Sequence, residues 1–195
     1  MSQDNVKNII EALLFASDKP LVIDQIKESL GGLDASLVRG VIEDLKSEYE
    51  TNGRGIRVAE IAGGFQMITS PEAGPFLKKL FKIKRVERLS RQALETLAIV
   101  AYKQPVTRLE IESLRSVNAD GVMKSLMDKN LIRISGRKKA PGRPFVFGTT
   151  RQFLEYFGLK SLDDLPKIEE FSNLQIKGEL LEGAAQKTTD NGGDK

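Results

Sequence analysis

The apolar residues of this chain trace one pattern twice. When Pro20 is set on Pro105, Ile9 falls on Leu94, Ala16 on Ala101 and Ile26 on Ile111. With no gap, Leu37 then falls on Val122, Val38 on Met123, Val41 on Leu126 and Ile42 on Met127. Three helical stretches are thus matched apolar to apolar at one offset. Self-similarity at a fixed spacing marks a duplicated folding unit. It limits the chain to two similar domains in tandem.

The second copy is the sharper. Ser90 can cap a helix, its hydroxyl accepting from an orphan backbone N–H. Leu94, Leu97, Ala98, Ala101 and Tyr102 follow at the spacing of one helix face. Pro105 closes that helix, since proline disfavours helical geometry in the residue before it. Thr107-x-x-Glu110 is a capping box, and it opens a short helix with Ile111 and Leu114 as its inward pair. Asn118 can cap a third helix, whose buried side is Val122, Met123, Leu126 and Met127. The alternation then switches to period two. Ile132 and Ile134 point one way and Arg133 the other, residues 136–144 form the loop, and Phe145 and Phe147 begin the return strand.

The first copy has the same parts. Val6, Ile9, Ile10, Leu13 and Leu14 form a helix face. Ala12, Phe15 and Ala16 widen it beyond what one core needs. A helix apolar over most of its girth buries two sides, either within a central core or against a partner. A second helix carries Ile23, Ile26 and Leu30. Asp34 can cap a third, which presents Leu37, Val38, Val41, Ile42, Leu45 and Tyr49. Residues 56–61 and 65–69 flank Gly63-Gly64 as a hairpin. Pro71 suits the first turn of a further helix through Phe76, Leu77, Leu80 and Phe81.

Three helices followed by a hairpin is the winged-helix arrangement, a relative of helix-turn-helix. The expected fold is mainly α with small β-hairpins, an α+β chain of two tandem winged-helix domains and a flexible C-terminal tail. The first domain spans 1–81, the connector 82–89, the second domain 90–166 and the tail 167–195. The tail's TTDNGGDK end is polar and Gly-rich.

Composition narrows the chemistry. The 195 residues include no Cys, His or Trp. Cys/His zinc sites, Cys nucleophiles, His bases and Ser-His-Asp triads are therefore excluded. Neither GxxxxGK[ST] nor GxGxxG occurs. No enzymatic activity, cofactor or metal is expected. No apolar run approaches the roughly 20 residues that cross a bilayer, and no secretory signal is visible, so the expected location is the cytoplasm without membrane attachment.

A winged helix that reads bases carries Arg, Lys, Asn or Gln on the outer side of its third helix. Here the outer residues of the first copy are Asp34, Ser36, Arg39, Glu43, Asp44 and Lys46. Those of the second are Asn118, Asp120, Lys124, Ser125, Asp128 and Lys129. Neither set suits base reading. The second hairpin is different: Arg133, Arg137, Lys138, Lys139 and Arg143 occur with no acid between them. This loop can contact phosphates weakly and non-specifically. Apolar excess without catalytic groups otherwise favours binding to protein.

Residues 89–166 resemble the bacterial segregation and condensation protein B family, ScpB. The resemblance is carried by LSRQALETLAIVAYKQPVTRLEIESLR, by VNADGVMKSLMDKNLIRISGRKKAPGRPFVFGTT and by FLEYFGLKSLDDLP. IIEALLFASDKPL and GGFQMITSPE extend it more loosely into the first half, to about residues 5–166 in all. Ser116 stands where the family pattern has Gly. The resemblance implies a non-enzymatic accessory subunit of the SMC condensin, nucleoid-associated in the cytoplasm, that supports chromosome condensation and segregation in cell division. It implies a homodimer formed through the N-terminal domain that binds the central region of the kleisin ScpA, and contact with the SMC ATPase through ScpA. Within the matched segment, surface logic selects Ile10, Leu14 and Phe15 for dimerisation. It selects Leu97, Ala101, Tyr102, Pro105 and Val117 for the kleisin. The alternative is a tandem winged-helix DNA-binding transcriptional regulator.

Overall fold

Side-chain oxygens set where the helices begin. In the computed structural model, which describes residues 3–81 and 89–167, Asp34 accepts from the N–H groups of Ser36 and Leu37 and starts α3 (Ala35–Thr51). Ser90 accepts from Ala93 at the head of α5 (Arg91–Lys103). Thr107 and Glu110 close the reciprocal capping box at the head of α6 (Arg108–Arg115). Thr150 accepts from Phe153 at the head of α8 (Arg151–Phe157). Each cap satisfies N–H groups that the first helical turn leaves unpaired. Asn118 acts one step earlier than the sequence suggests. It accepts from Asp120 at 3.0 Å, while Ala119 is the N-cap of α7 (Asp120–Asp128).

The N-terminal half is α1 (Gln3–Ala16), α2 (Ile23–Ser29), α3, the antiparallel strands β1 (Ile56–Ile61) and β2 (Gly64–Thr69), and then α4 (Gly74–Leu80) after a 3-10 turn. Val6, Ile10 and Leu14 of α1, Ile26 of α2, and Val38, Val41, Ile42 and Leu45 of α3 pack with Phe65 into one core. The C-terminal half runs α5, β3 (Val106–Thr107), α6, α7, β4 (Ile132–Arg137), β5 (Phe145–Thr149) and α8. Its strands lie in the order β3-β5-β4, all antiparallel.

The duplication extends to a detail the apolar spacing does not display. Leu21, just after Pro20, makes a bridge to Phe65, donating and accepting at 2.9 and 2.8 Å. Val106, just after Pro105, pairs with Phe147. In each half the residue after the proline thus joins the hairpin as a short third strand. The first close approach requires glycine, because Gly64 lies against backbone, whereas Gly148 lies against the end of a flexible side chain. A Cβ on Gly64 would stand 2.8 Å from the Leu21 carbonyl oxygen, and one on Gly148 would stand 2.8 Å from the Gln104 Oε1. That Oε1 accepts from the Thr149 N–H at 2.8 Å and ties the end of α5 to the sheet.

Met1–Leu162 forms one compact unit, and a second unit begins at Asp163. Within the first, the two halves touch. Arg151 donates to the Pro20 carbonyl at 2.9 Å, the Ala62 N–H donates to the Leu159 carbonyl at 2.8 Å, and Lys160 pairs with Glu60 at 3.4 Å. The expected connector lies, but for Leu89, outside the described residues, as does the expected tail beyond Lys167. Among the described residues no helix is long and apolar enough to cross a membrane.

Ser116 closes α6 with φ 55° and ψ 23°. This is the left-handed region, where a Cβ crowds the following carbonyl and glycine does not. Glycine is the usual occupant of such a helix end. Ser116→Gly is therefore expected to raise stability by about 1 kcal/mol, read as a higher urea midpoint with unchanged slope.

Candidate functional site

On the N-terminal half the surface of interest is the second side of α1. The sequence expectation of exposed Ile10 and Leu14 does not hold. They are 0% and 1% exposed, because the inward stripe of α1 packs on α3. Phe15, in contrast, is 76% exposed, and Ala12 and Ala16 beside it are also exposed. Phe15 edges a hollow of about 260 Å³ whose floor includes Ala12, Ile56 and Met67. Tyr49 donates its hydroxyl to Glu11 at the border of this hollow. That bond, and then partial burial, holds the Tyr49 phenol above its ordinary pKa. A second exposed apolar group, Phe76, Leu80 and Phe81, lies on and just after α4.

On the C-terminal half, the buried face of α5 is rotated from the expected one. Ala93, Thr96, Leu97, Val100 and Ala101 are inside, while Leu94 and Ala98 are exposed. Leu97 and Ala101 therefore belong to this chain's own core, and Tyr102 is half-buried. Pro105 and Val117 are on the surface. Pro105 opens onto a hollow of about 350 Å³ with Lys103, Val106, Glu110, Ser113 and Leu114. Leu114, expected inside, is exposed here. With only eight residues, α6 turns one apolar side chain, Ile111, fully inward.

A further groove was not legible from the sequence. It holds about 360 Å³ between α6, α7 and β5, and includes Leu109, Met123, Met127, Phe145 and Phe147. Of the expected buried side of α7, Met123 and Leu126 are buried, Val122 is half-buried and Met127 is exposed. The available signal was Leu109, an apolar residue outside the inward spacing of α6.

The five basic residues do not form one patch. The ladder shifts register between Ile134 and Gly136, leaving Ser135 as a bulge. Arg133 consequently lies opposite Gly148, and Arg137 opposite Phe145. Directly opposed residues share a face and successive residues alternate, so Arg133 and Arg137 stand on opposite faces. Arg137 lies over the Phe145 ring, 4.0 Å from its centroid, and donates to the Arg143 carbonyl at 3.1 Å. Lys138 pairs with Glu110 at 2.5 Å. Lys139 and Arg143 have no acidic partner among the described residues.

Glu110 is the most strongly shifted acid among the described residues. The Lys138 ammonium, then the N–H and hydroxyl of Thr107, hold its carboxyl down at about 2. A folded pKa below the ordinary value of 4.5 stabilises the fold above that value and loses the contribution as pH falls through the folded pKa. Glu110→Gln is therefore expected to be less stable than the parent at neutral pH. The gap should close between about pH 4.5 and pH 2. Urea titrations at a series of pH values check this. A gap independent of pH would contradict the assignment.

The fold and its surface define a class: a tandem helix-and-hairpin protein with apolar side chains left uncovered on both halves. The family model for "Segregation and condensation complex subunit ScpB" matches residues 8–168, which takes in both halves. The chain belongs to that family. It is 47% identical over 181 residues to segregation and condensation protein B of Syntrophotalea carbinolica, covering 93% of this chain and 91% of the relative. It is also 47% identical over 163 residues to the protein of the same name from Symbiobacterium thermophilum, covering 84% and 74%. A solved structure described as a dimer of the ScpB N-terminal domain complexed with ScpA peptide is 38% identical, covers 40% of this chain and 95% of that one, and gives a TM-score of 0.37.

Proposed function

We propose that the chain is a non-catalytic subunit of the SMC condensin complex. In this reading it is built of two winged-helix domains. The first spans 1–81 and pairs with a second copy. The second spans 90–166 and binds the central region of the kleisin ScpA, which links it to the SMC ATPase. Residues 82–89 are the connector and 167–195 the tail. The protein works in the cytoplasm, at the nucleoid, in chromosome condensation and segregation during cell division.

The observation that carries this is the family match across residues 8–168, since it includes both halves and not one shared module. The surface supports it. Phe15, with Ala12 and Met67 around the adjoining hollow, is the kind of central aromatic anchor that dominates an interface. Burial removes Ile10, Leu14, Leu97 and Ala101 as direct contacts, so dimerisation centres on Phe15. Kleisin contact at the end of α5 falls to Tyr102, Pro105 and Val117.

The test is recovery of the tagged protein from its native cells with nuclease present, followed by mass spectrometry. A kleisin and an SMC ATPase should come with it independently of DNA. Recovery of the protein alone, with chromosomal fragments appearing only when nuclease is omitted, would favour the DNA-binding regulator.

A further inference from the structure

The two hairpins differ at their tips. Residues 137–139 and 141–143 of the second loop are exposed, as hairpin tips ordinarily are. At the first tip Ile61 and Ala62 are only 7% and 9% exposed. Ala62 also holds a φ of 51°, a left-handed conformation that is uncommon for a residue with a side chain. Its N–H donates out of the hairpin, to the Leu159 carbonyl at 2.8 Å. A buried N–H is rarely left without an acceptor, and this one takes its acceptor from the other half of the chain.

That acceptor is aimed by α8, which is rooted in the second half. Phe153 is 3% exposed. The Thr150 N–H donates to the Leu131 carbonyl at 3.3 Å, and its hydroxyl donates to the Asn130 carbonyl. At the far end of the helix Gly158 turns to φ 67°, a conformation that a side chain opposes. This turn brings the Leu159 N–H back to the Leu154 carbonyl at 2.9 Å and leaves the Leu159 carbonyl facing Ala62. Arg151, at the head of α8, makes a second hold. Glu155, one turn along, pairs with its Nε at 3.2 Å, and its Nη2 donates to the Pro20 carbonyl at 2.9 Å. Lys160 adds an ion pair to Glu60 at 3.4 Å; a partly exposed pair of this kind contributes little alone. The groups held, Pro20 and Ala62, belong to one corner of the first half, where Gly64 packs against Pro20 and Leu21. Both ends of α8 thus grip the same corner.

We infer that α8, with Leu159 and Lys160, is a strap that fixes the angle between the two halves, gripping the first half by the Ala62 N–H and the Pro20 carbonyl. A molecule that touches both halves meets them at one angle while the strap is closed and at many once it opens. The tip of the first hairpin is taken up within the chain, and the tip of the second is the one left open to other molecules. The strap does not depend on the proposed function.

The experiment uses the full chain. It has no Cys, so Ser47→Cys on α3 and Ser125→Cys on α7, both at exposed positions, place one spin label on each half. The labelled chain is diluted into excess unlabelled chain, so that pulsed dipolar spectroscopy reads distances within one protomer. The parent should give a single narrow distance. Two variants open the strap in different ways. Arg151→Ala with Lys160→Glu removes one hold and sets like charges together at Glu60. Gly158→Ala turns the Leu159 carbonyl away from Ala62. Each should broaden the distance distribution. Amide hydrogen exchange, which reads local opening, should speed up about tenfold or more at Ala62. Exchange at Phe65, whose N–H bonds to Leu21 within the first half, should stay at the parent rate. The double change alters only exposed side chains, so it decides the matter if thermal melting shows that Gly158→Ala fails to fold. The inference is overturned if the parent distribution is already as broad as that of the double variant, or if Ala62 in that variant exchanges at the parent rate. It is equally overturned if Ala62 and Phe65 accelerate by the same factor, because the hairpin then opens as a whole and not at the strap.

Discussion

Replacing Phe15 by aspartate is expected to turn a dimer into a folded monomer. The side chain is about three-quarters exposed within a single chain, so the substitution removes little intramolecular packing. Exposed changes of this kind shift stability by about 0.5 kcal/mol or less. In the proposed dimer the same position is the centre of the contact. A carboxylate there must be desolvated without a partner. Loss of a central aromatic anchor costs about 2–4 kcal/mol of association, roughly 30- to 1,000-fold in dissociation constant. Sedimentation equilibrium gives the mass and circular dichroism the melting temperature. A variant that remains dimeric would remove Phe15 from the interface. A variant that unfolds would place it in the core, against its exposure.

The second large effect is on folding. Phe65→Ala is expected to cost about 3–5 kcal/mol. Phe65 is among the largest fully buried side chains of the described residues. It sits where α1, α2, α3 and the first hairpin meet, and Arg39 lies over its ring at 5.7 Å. Its backbone also holds the Leu21 bridge from both sides. A domain of ordinary stability has about 5–15 kcal/mol in total, so this one change consumes a large part of it. Urea denaturation followed by circular dichroism measures the loss. A cost under about 1 kcal/mol would mean that the core closes around the cavity, contrary to the packing described.

What was legible in the sequence is what depends on neighbours in sequence. The capping box at Thr107 and Glu110 and the caps at Asp34 and Ser90 each involve atoms a few residues apart, and each forms where the residues indicate; the first hairpin turns one residue before the expected Gly63-Gly64, on Ala62 and Gly63. The duplicated spacing is likewise local within each helix. The inward face of α5 differs from the expected one for a specific reason. Thr96 looks polar but its hydroxyl donates to the Gln92 carbonyl at 2.9 Å, which lets it sit at 0% exposure. With a threonine inside, the helix turns Leu94 outward. The bulge at Ser135 was invisible because strand register is set between strands, and one extra residue moves Arg133 to the other face. The groove at Met127 and Phe145 joins the consecutive helices α6 and α7 to the later strand β5, so no single stretch announces it. Ser116 shows the reverse case, in which the meaning of a serine at the end of α6 comes only from its φ of 55°.

The most direct test of the account is light scattering coupled to size exclusion, on the purified full chain with and without purified ScpA from the same cells, both treated with nuclease. The expected result is a dimer of the chain alone and a stable, heavier complex when ScpA is added. A chain that stays monomeric and elutes apart from ScpA, at concentrations of both proteins in the micromolar range, would contradict it.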